Sequence, residues 1–567
     1  MHQVTKILLA LPLVVAGGFL GMDGASGEFT ERTDSATEEK KDRMPIGMNL
    51  RMVGPRSREW VFVDVMKSAS MWRYADAGGR RGGRARGGRR AGGRSEGQGS
   101  RQGLGQRGNE GGGAAQSPAE RRRQRMQAMQ ADKVPTDGNG WPRPENGRAI
   151  TIAMMAEQEG RYPKGTYVCT WEGAGTISFE RAARITERGD KRMLVEVDPS
   201  KGEIQMRIDG FDENDPIRDI HLWMPGFEDA ESPFHPLFVQ RLQPFSVLRF
   251  YPWMRPFSSS GSWENRPKPA DARQSDDDGV AVEYMVALCN ELEADPWFTI
   301  PHTADDEYVR EFAKLVKAGL HPGARIWVEY SNEIWNSSFV QAQWVRAEAQ
   351  RQGMKTAEFT AREASRIFRG FREVFADEPE RVVRVAAGQL HNPGVARVLC
   401  RGLGDQVDAI AVGTYFGAKP SRDELGAGGV ESLIAAARKN LDTVVMQRIG
   451  EHKKLADQLS KQLGRHIALV TYEGGQHLVA RSPHGGRGGV SFSPETTDRV
   501  QDHPGMYAAY RALIEEGHRQ GLELFIAYDF VGRRTHADTF GHLRFLDEPI
   551  SSSPKFKALV EDWIESD

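Results

Sequence analysis

The amino-acid sequence predicts a (β/α)8 barrel with an inserted small β-sandwich and a disordered Gly/Arg-rich insert. From about residue 234 to residue 567, short apolar segments alternate with amphipathic helical patterns, and this alternation is typical of a parallel sheet. Seven such segments follow one another there. Together with Ile46–Leu50 near the start of the chain they make eight, the number that closes a barrel. Two stretches of different character separate the first predicted strand from the second.

The strands of the predicted barrel are short apolar runs, and the patterns between them repeat with a helical period. The clearest helix is predicted over Thr303–Leu320, where apolar residues recur every three or four positions and Thr303 with Asp306 resembles a capping box. The first strand and its following segment occupy residues 44–72, and residues 234–567 hold the remainder. The seven later strand candidates are Ser246–Phe250, Trp297–Ile300, Ile326–Tyr330, Val382–Ala387, Ala409–Thr414, Ile467–Tyr472 and Leu522–Tyr528.

The inserted sandwich is predicted over residues 141–227, where six short segments, several of them alternating, are separated by Gly, Asp and Pro. Residues 75–132 are instead rich in Gly, Arg and Gln. Between Arg80 and Arg125, thirteen arginines stand against three glutamates, and this local balance of +10 leaves −12 to the rest of the chain. Such a segment cannot bury enough apolar surface to offset the entropy of ordering, so we expect disorder.

The beginning of the chain has the pattern of an export signal. Lys6 precedes an apolar run from Ile7 to Leu20, and the small residues Gly24–Gly27 follow. We therefore expect residues 1–27 to be a signal peptide, a mature chain that begins between about Met22 and Glu28, and a protein outside the cytoplasm. The alternative is an uncleaved anchor, although the run is shorter than the ~20 residues that a spanning helix needs. No other stretch is apolar enough, so no transmembrane domain is expected in the mature chain.

Several classes of site are disfavoured by the sequence. The three cysteines, Cys169, Cys289 and Cys400, are too widely spaced for a metal site and too few for a disulfide framework. There is no HExxH, no phosphate-binding loop and no GxSxG elbow. We therefore expect neither a metal nor another cofactor. A basic glycine-rich tract can bind single-stranded nucleic acid, but for an exported protein a solvated insert or one that contacts anionic surfaces is the better interpretation.

Reactive side chains of such barrels lie where strands end and loops begin. After the fourth strand the sequence reads Tyr330-Ser-Asn-Glu-Ile-Trp-Asn336, and after the seventh it reads Thr471-Tyr-Glu-Gly-Gly475. Each motif places one carboxylate, Glu333 or Glu473, at the mouth of the barrel. Other polar and aromatic residues stand at the ends of the second, third and sixth strands. They are Arg249, Trp253, His302 and Tyr415.

This set of strand-end residues resembles the glycoside hydrolases of clan A, in which an Asn-Glu pair ends strand four and a Glu ends strand seven. The segments FVDVMKSASMW, EYMVALCNELEADPWFTIPH and VEYSNEIWN are further similar to a group of bacterial proteins described as cellulose-binding or carbohydrate-active. The resemblance covers the barrel. The sequence departs from the clan at the end of strand eight, where Tyr528-Asp-Phe530 stands in place of the usual Trp.

The resemblance implies a retaining glycosidase that acts on a β-linked polysaccharide or oligosaccharide, with Glu333 as acid/base and Glu473 as nucleophile. Two carboxyl groups on opposite sides of the anomeric carbon suit that reaction. Arg249 and Tyr415 would favour the charged form of Glu473, and that charge would keep Glu333 protonated. The remaining implied roles concern the sugar: Asn332 would bond its 2-hydroxyl, His302 would orient a hydroxyl or Glu333, and Trp253 and Trp335 would offer flat faces.

Each assignment has an alternative. The two glutamates could be members of structural ion pairs, Arg249 a buried charge partner, His302 a satisfied loop histidine, and Trp253 and Trp335 core residues. Tyr472 and Tyr528 are expected to serve packing. At the level of function, a carbohydrate-binding protein without turnover would need aromatic platforms rather than both glutamates. A surface interaction protein that uses its Gly/Arg insert would need neither feature.

Overall fold

The structure is a computed structural model and describes residues 43–75, 133–258, 261–275, 279–418, 429–478, 493–535 and 538–564. The predicted signal peptide and, beyond Ala75, the predicted Gly/Arg-rich insert lie outside the described residues. In chain order, the strands are β1 Ile46–Asn49, β2 Arg73–Tyr74, β3 Ile150–Met154, β4 Gly165–Glu172, β5 Thr176–Arg181, β6 Ala183–Arg188, β7 Arg192–Val197, β8 Ile204–Asp209, β9 Arg218–Trp223, β10 Val247–Arg249, β11 Asp295–Ile300, β12 Ile326–Tyr330, β13 Val382–Gly388, β14 Ala409–Phe416, β15 Ala468–Gln476 and β16 Phe525–Ala527.

Helices connect the strands of the second half of the chain. A π-helical turn, Leu441–Val445, joins two of them. The α-helices of the described residues are α1 Pro236–Leu242, α2 Tyr251–Met254, α3 Val282–Leu292, α4 Asp306–Gly319, α5 Val340–Arg351, α6 Thr356–Val374, α7 Pro393–Leu403, α8 Gly429–Asn440, α9 Met446–Leu463, α10 Pro494–Gln501, α11 Pro504–Arg519 and α12 Pro554–Ile564.

Eight strands close a parallel barrel in the order β1-β10-β11-β12-β13-β14-β15-β16. All eight predicted barrel strands are present, and the predicted fold class is confirmed. The helix predicted after strand three is α4, which buries Val309, Phe312, Ala313 and Val316 on one face. Its start differs from the prediction, because Asp305 caps the helix by accepting a hydrogen bond from the Tyr308 N–H.

The interior of the barrel is filled by large and small apolar side chains in turn. Trp297 and Trp327 stack with ring centroids 5.2 Å apart and an interplanar angle of 8°. On β1, one strand removed from β11, stands Gly47, where an added Cβ would overlap the Val247 carbonyl and the Ile526 side chain. This packed interior leaves the polar side chains of the strands to collect at the carboxyl end, as is general for such barrels.

The insertion between β1 and β10 forms two antiparallel four-stranded sheets, β2-β3-β8-β5 and β6-β7-β4-β9. Alternate residues are buried along β3, β4, β7 and β8, and these side chains belong to one hydrophobic cluster. This is the pattern of sheets that pack face to face. The sequence did not predict β2 or β6, which are respectively very short and mostly exposed on both faces.

Candidate active site

Glu333 stands in a tight turn directly after β12. That strand ends at Tyr330, as predicted, and the next residues, Ser331 and Glu333, adopt left-handed backbone conformations with φ of 56° and 46°. Such a conformation costs a non-glycine residue about 1–3 kcal/mol and is held only where the surroundings determine it. The turn aims the Glu333 carboxyl at the barrel mouth, where Oε1 accepts from the Tyr472 hydroxyl at 2.8 Å and Oε2 from the Asn336 amide at 2.9 Å.

Glu473 lies inside β15 rather than at its end. The strand was predicted to stop at Tyr472 or Glu473, but it continues to Gln476, so that prediction is wrong. The reason is a register shift against β14: Thr471 pairs with Val412 and Glu473 with Gly413, which leaves Tyr472 as the extra residue of a β-bulge. A bulge re-aims the side chains beside it. Tyr472 packs in the barrel interior, and Glu473, its neighbour, faces the interior as well.

Arg249, the last residue of β10, joins the carboxylates. It is fully buried, and its Nη1 lies 3.4 Å from Glu473 Oε2. The same guanidinium donates to Glu329 Oε2 at 2.8 Å, to Asn332 Oδ1 at 2.7 Å and to Asn49 Oδ1 at 3.0 Å. A buried cation with this many acceptors is fixed in position, because breaking any one contact would leave a buried group unpaired.

Burial and neighbouring charge shift the pKa values of the pair. Burial, reinforced by the charge of Glu333, raises the pKa of Glu473 to about 8, although Arg249 and a hydrogen bond from Tyr415 lower it. Burial also raises the pKa of Glu333, against the hydrogen bonds from Asn336 and Tyr472 that lower it. The sequence predicted an ionised Glu473 beside a protonated Glu333; burial raises the pKa of both carboxyls, so which of them holds a proton stays a prediction. The two carboxyls together hold protons more tightly than exposed glutamates do.

The site is enclosed on the β14 side by aromatic residues. Tyr415 lies within β14 rather than after it, and its ring makes edge contacts with Tyr528 and Phe540, at 6.2 and 6.1 Å between centroids. Burial and the nearby Glu473 raise the pKa of Tyr415 well above its usual value. Its hydroxyl therefore stays protonated and can donate to Glu473. Tyr528 thus stands beside the site, at the position where the sequence departs from clan A.

Comparisons with known proteins find similar folds only among solved structures. The chain is similar to an arabinofuranosidase at 16% identity and a TM-score of 0.38, covering 58% of this chain and 63% of that one. It is also similar to a family 51 alpha-L-arabinofuranosidase from Bifidobacterium longum, at 13% identity and a TM-score of 0.39, over 58% and 66% of the two chains. A beta-glucosidase from Thermotoga maritima matches at 11% identity and a TM-score of 0.29, over 57% and 84%.

The chain thus spans less than two thirds of the length of the two arabinofuranosidase structures. No protein-family model matches the sequence, and no curated protein matches it. The fold is established by the closed barrel itself. What the site can do is argued below from its own residues.

Two further predicted residues, Asn332 and Trp335, lie at the site, where the first is hydrogen-bonded and the second packs against apolar side chains. Asn332 is 2% exposed and accepts from Arg249, while its backbone carbonyl accepts from Gln341 at 2.8 Å. Trp335 is half-buried and packs against the interior cluster of the barrel. Within the described residues, its indole N–H is buried without a hydrogen-bond partner.

Trp253 and His302 are placed differently from what the sequence suggested. Trp253 lies on the short helix α2 and is 1% exposed, with its indole N–H donating to the Arg51 carbonyl at 2.7 Å. A ring this buried offers no face to a sugar, so its assignment as a platform is wrong. His302 Nδ1 lies 2.8 Å from the Pro256 carbonyl, and its ring contacts Trp344. Burial lowers its pKa, which leaves a neutral imidazole that shapes the loop.

Sequence reasoning missed Glu329, Asn49 and the role of Tyr472. Glu329 is 1% exposed and accepts from Arg249 and from the Trp297 indole at 2.9 Å. A glutamate in the middle of the apolar strand Ile326–Tyr330 was the signal for a buried charge, since such a residue needs a partner. Tyr472 was assigned to packing, but its hydroxyl donates directly to Glu333.

The described residues contain no group of three or more His, Cys, Asp or Glu side chains arranged to hold a metal ion. In the same part of the chain, no helix combines the length and apolar character that crossing a membrane requires.

Proposed function

We propose that this protein is a retaining glycoside hydrolase that acts on a β-linked polysaccharide or oligosaccharide, with Glu333 as acid/base and Glu473 as nucleophile. One observation carries the proposal. Two glutamates from different strands, both with raised pKa values, meet at the barrel mouth, and a buried arginine contacts only one of them. Structural ion pairs would place a cation beside each carboxylate. Here Glu333 receives neutral donors, Tyr472 and Asn336, which suits a group that must gain and lose a proton.

The surroundings of Glu473 suit a nucleophile. Arg249 and Tyr415 favour its charged form, so an attacking carboxylate is available when Glu473 is ionised and Glu333 carries the proton. That proton would then pass to the glycosidic oxygen as the leaving group departs. Glu333, now ionised, would take a proton from the water that hydrolyses the glycosyl ester on Glu473. Glu329 and Asn332 act through Arg249 by fixing the guanidinium, and we regard them as positioning residues.

Retention is the outcome that a nucleophilic Glu473 predicts. Glu333 raises the pKa of Glu473, so the two carboxyls interact electrostatically. Retaining glycosidases separate these carboxyls by about 5–5.5 Å, whereas inverting enzymes need about 6.5–9.5 Å to admit a water. The configuration of the first product therefore tests the role proposed for Glu473.

A screen of the purified protein tests the proposal. Aryl β-glycosides, aryl α-L-arabinofuranosides and β-linked polysaccharides would be offered at several pH values, with the Glu333→Ala and Glu473→Ala double variant as a blank. We expect hydrolysis of at least one β-glycoside, with proton NMR showing that the first product retains the anomeric configuration. Binding of saccharides without turnover would instead establish a carbohydrate-binding protein. A first product of inverted anomeric configuration would contradict the role of Glu473 as nucleophile.

We also propose that the protein acts outside the cytoplasm, because Lys6 and the apolar run after it have the pattern of a signal peptide. N-terminal sequencing of the protein from its native source would show a first residue between about Met22 and Glu28. An intact Met1 on a cytoplasmic protein would contradict this.

A further inference from the structure

A cavity of about 480 Å³ opens beside Glu333 and does not include Glu473. It begins at the turn after β12, passes over the ends of β12 and β13, and extends between α6 and α7. Glu333 and Glu329 lie at its inner end. The cavity therefore adjoins the proton donor of the proposed reaction, and the nucleophile lies outside its lining.

The position of the cavity relative to the two carboxyls determines which part of a substrate it can hold. In the proposed reaction the nucleophile attacks the anomeric carbon while the acid protonates the glycosidic oxygen. The group bonded to that oxygen, which is the group that leaves, must lie on the side of the acid. Of the two carboxyls, Glu333 lines the cavity and Glu473 does not. The cavity is thus in the position of the leaving group, and the sugar that is attacked would lie toward Glu473.

The lining of this cavity is apolar. Most of its side chains carry no hydrogen-bonding group. Its outer part is shaped by the aliphatic side chains of Ile334, Val395, Val398 and Leu399 and by the ring of Trp335. Two polar groups of the outer part are engaged within the chain: the Thr360 hydroxyl donates to the Thr356 carbonyl at 2.9 Å, and Asn392 Oδ1 accepts from the Gly394 N–H at 3.2 Å. A second sugar would lose more hydrogen bonds to water there than this lining can replace.

We propose that the leaving group of this enzyme is apolar, so that the substrate is a β-linked saccharide joined to an aromatic or alkyl group. This rests on the proposed glycosidase and its two carboxyl roles, and it restricts the saccharide to one that is β-linked to an apolar group, which excludes a polysaccharide cleaved between two sugars. Size agrees with the assignment, since an apolar cavity of about 150 Å³ already accommodates benzene. The ring of Trp335 is part of the wall, and a flat aromatic leaving group could pack against it.

Methyl and octyl glycosides of the sugar selected by the screen test the proposal directly. Both release an alcohol of nearly the same acidity, so a difference in rate reports contact with the alkyl chain rather than leaving-group chemistry. We expect kcat/KM for the octyl glycoside to exceed that for the methyl glycoside at least about tenfold, since each buried CH₂ contributes about 0.8 kcal/mol. A disaccharide of the same sugar should be no better than the methyl glycoside.

Two valine variants identify the surface responsible. Val398 is 46% exposed and lines the cavity, whereas Val444 is 37% exposed and lies on the π-helical turn away from the cavity lining. Val398→Asp places a charge in the apolar wall, and we expect it to abolish most of the preference for octyl over methyl. Val444→Asp makes the same chemical change on the surface and should leave the preference intact. Thr360→Tyr, which fills the cavity, should act like Val398→Asp.

Binding of free 4-methylumbelliferone separates the two proposals. We expect fluorescence titration to show binding that Val398→Asp weakens at least about tenfold and Val444→Asp changes less than twofold. Suppose that glycosides are hydrolysed, that kcat/KM is equal for the octyl and methyl glycosides, and that Val398→Asp changes neither value. The proposal of an apolar leaving group is then wrong, while the proposed glycosidase activity is supported. If no glycoside is hydrolysed while 4-methylumbelliferone still binds at Val398, the proposed function is wrong, and the cavity is an apolar binding site.

Discussion

Glu333 and Glu473 face the same space, but the chain holds them by different means. Glu333 follows a strand end, on a turn of left-handed residues, with neutral donors on both carboxyl oxygens. Glu473 lies within a strand beside a bulge, with a buried guanidinium and a tyrosine hydroxyl as its partners. In the first arrangement the turn and the Asn336 donor are local in sequence, and the Tyr472 donor comes from β15. The second depends on the register of β14 against β15 and on β10, more than 200 residues earlier in the chain.

This difference corresponds to what each carboxyl would have to do. A proton donor must meet a leaving group and then exchange its proton with water, and Glu333 is half-buried beside an open cavity. A nucleophile must approach one carbon along one direction, and Glu473 is 6% exposed and fixed by Arg249. The comparison therefore predicts that changes at the two positions affect different measurements.

The largest effect is expected from removing the carboxyls. Glu473→Ala should lower kcat by about 10⁴-fold or more, since it removes the proposed nucleophile, and azide should restore turnover with inverted product by filling the gap. Glu333→Ala removes only the proposed proton donor, so an activated aryl glycoside should still glycosylate Glu473 while a poor leaving group suffers a further loss of about 10²–10⁴-fold.

Thermal melts of both variants provide the control, because each must remain folded for the rates to have meaning. If each variant loses the same factor in kcat on good and on poor leaving groups, and azide restores no activity, the two glutamates do not have the different roles proposed for them.

A smaller effect concerns stability against pH. The pKa of Glu473 in the folded protein is about 8, above its usual value of 4.5, so the folded state binds this proton more tightly than the unfolded state. The stability gained is fully present below pH 4.5 and is lost as the pH rises through about 8. Glu473→Gln keeps a neutral side chain, and its Tm relative to wild type should rise across this window by an amount worth a few kcal/mol, on the order of the shift.

A half-buried carboxyl on α5, away from the candidate site, supplies a control whose pKa is shifted in the opposite direction. Hydrogen bonds from Arg351 and Gln352 lower the pKa of Glu348 to about 2, so Glu348→Gln should show a flat difference in Tm between pH 5 and 8 and a change only in acid. A difference between wild type and Glu473→Gln that stays constant from pH 4.5 to 9 would mean that Glu473 is ionised throughout.

The sequence predicted the position of Glu333 more fully than that of Glu473. The eight barrel strands were found because each is a short run of buried residues, and Glu333 was found because its strand ends where the apolar run ends. The bulge at Tyr472 could not be found, since one extra residue in a ladder leaves no mark on the apolar pattern of β15. The extra residue determines the direction of the Glu473 side chain. The sequence therefore predicted which residue carries the carboxyl, but not its place within β15 or its neighbours.

Orientation was the second quantity that the sequence could not supply. Trp253 stands after β10 as a platform residue should, but the chain turns into α2 there and the ring enters the core. Glu329 could have been recognised, because it occupies the middle of a buried strand and its position alternates with Val328 and Tyr330. A charged residue at an inward position of a barrel strand indicates a partner across the interior, and here that partner is Arg249.

The smallest expected effect tests which glutamate is the acid. The Tyr472 hydroxyl donates to Glu333 Oε1 at 2.8 Å and so favours the charged carboxylate. Tyr472→Phe should raise the pKa of Glu333 and move the alkaline limb of the pH profile of kcat/KM upward, because that limb reports loss of the acid's proton. A hydrogen bond worth about 0.5–1.5 kcal/mol predicts a movement of about half to one pH unit. Tyr330→Phe is the matched control, since that buried hydroxyl donates to the His302 carbonyl and its loss should leave the limb in place. If Glu473 were the acid, Tyr472→Phe would leave the alkaline limb unmoved or move it down, and the roles assigned to the two carboxyls would have to be exchanged.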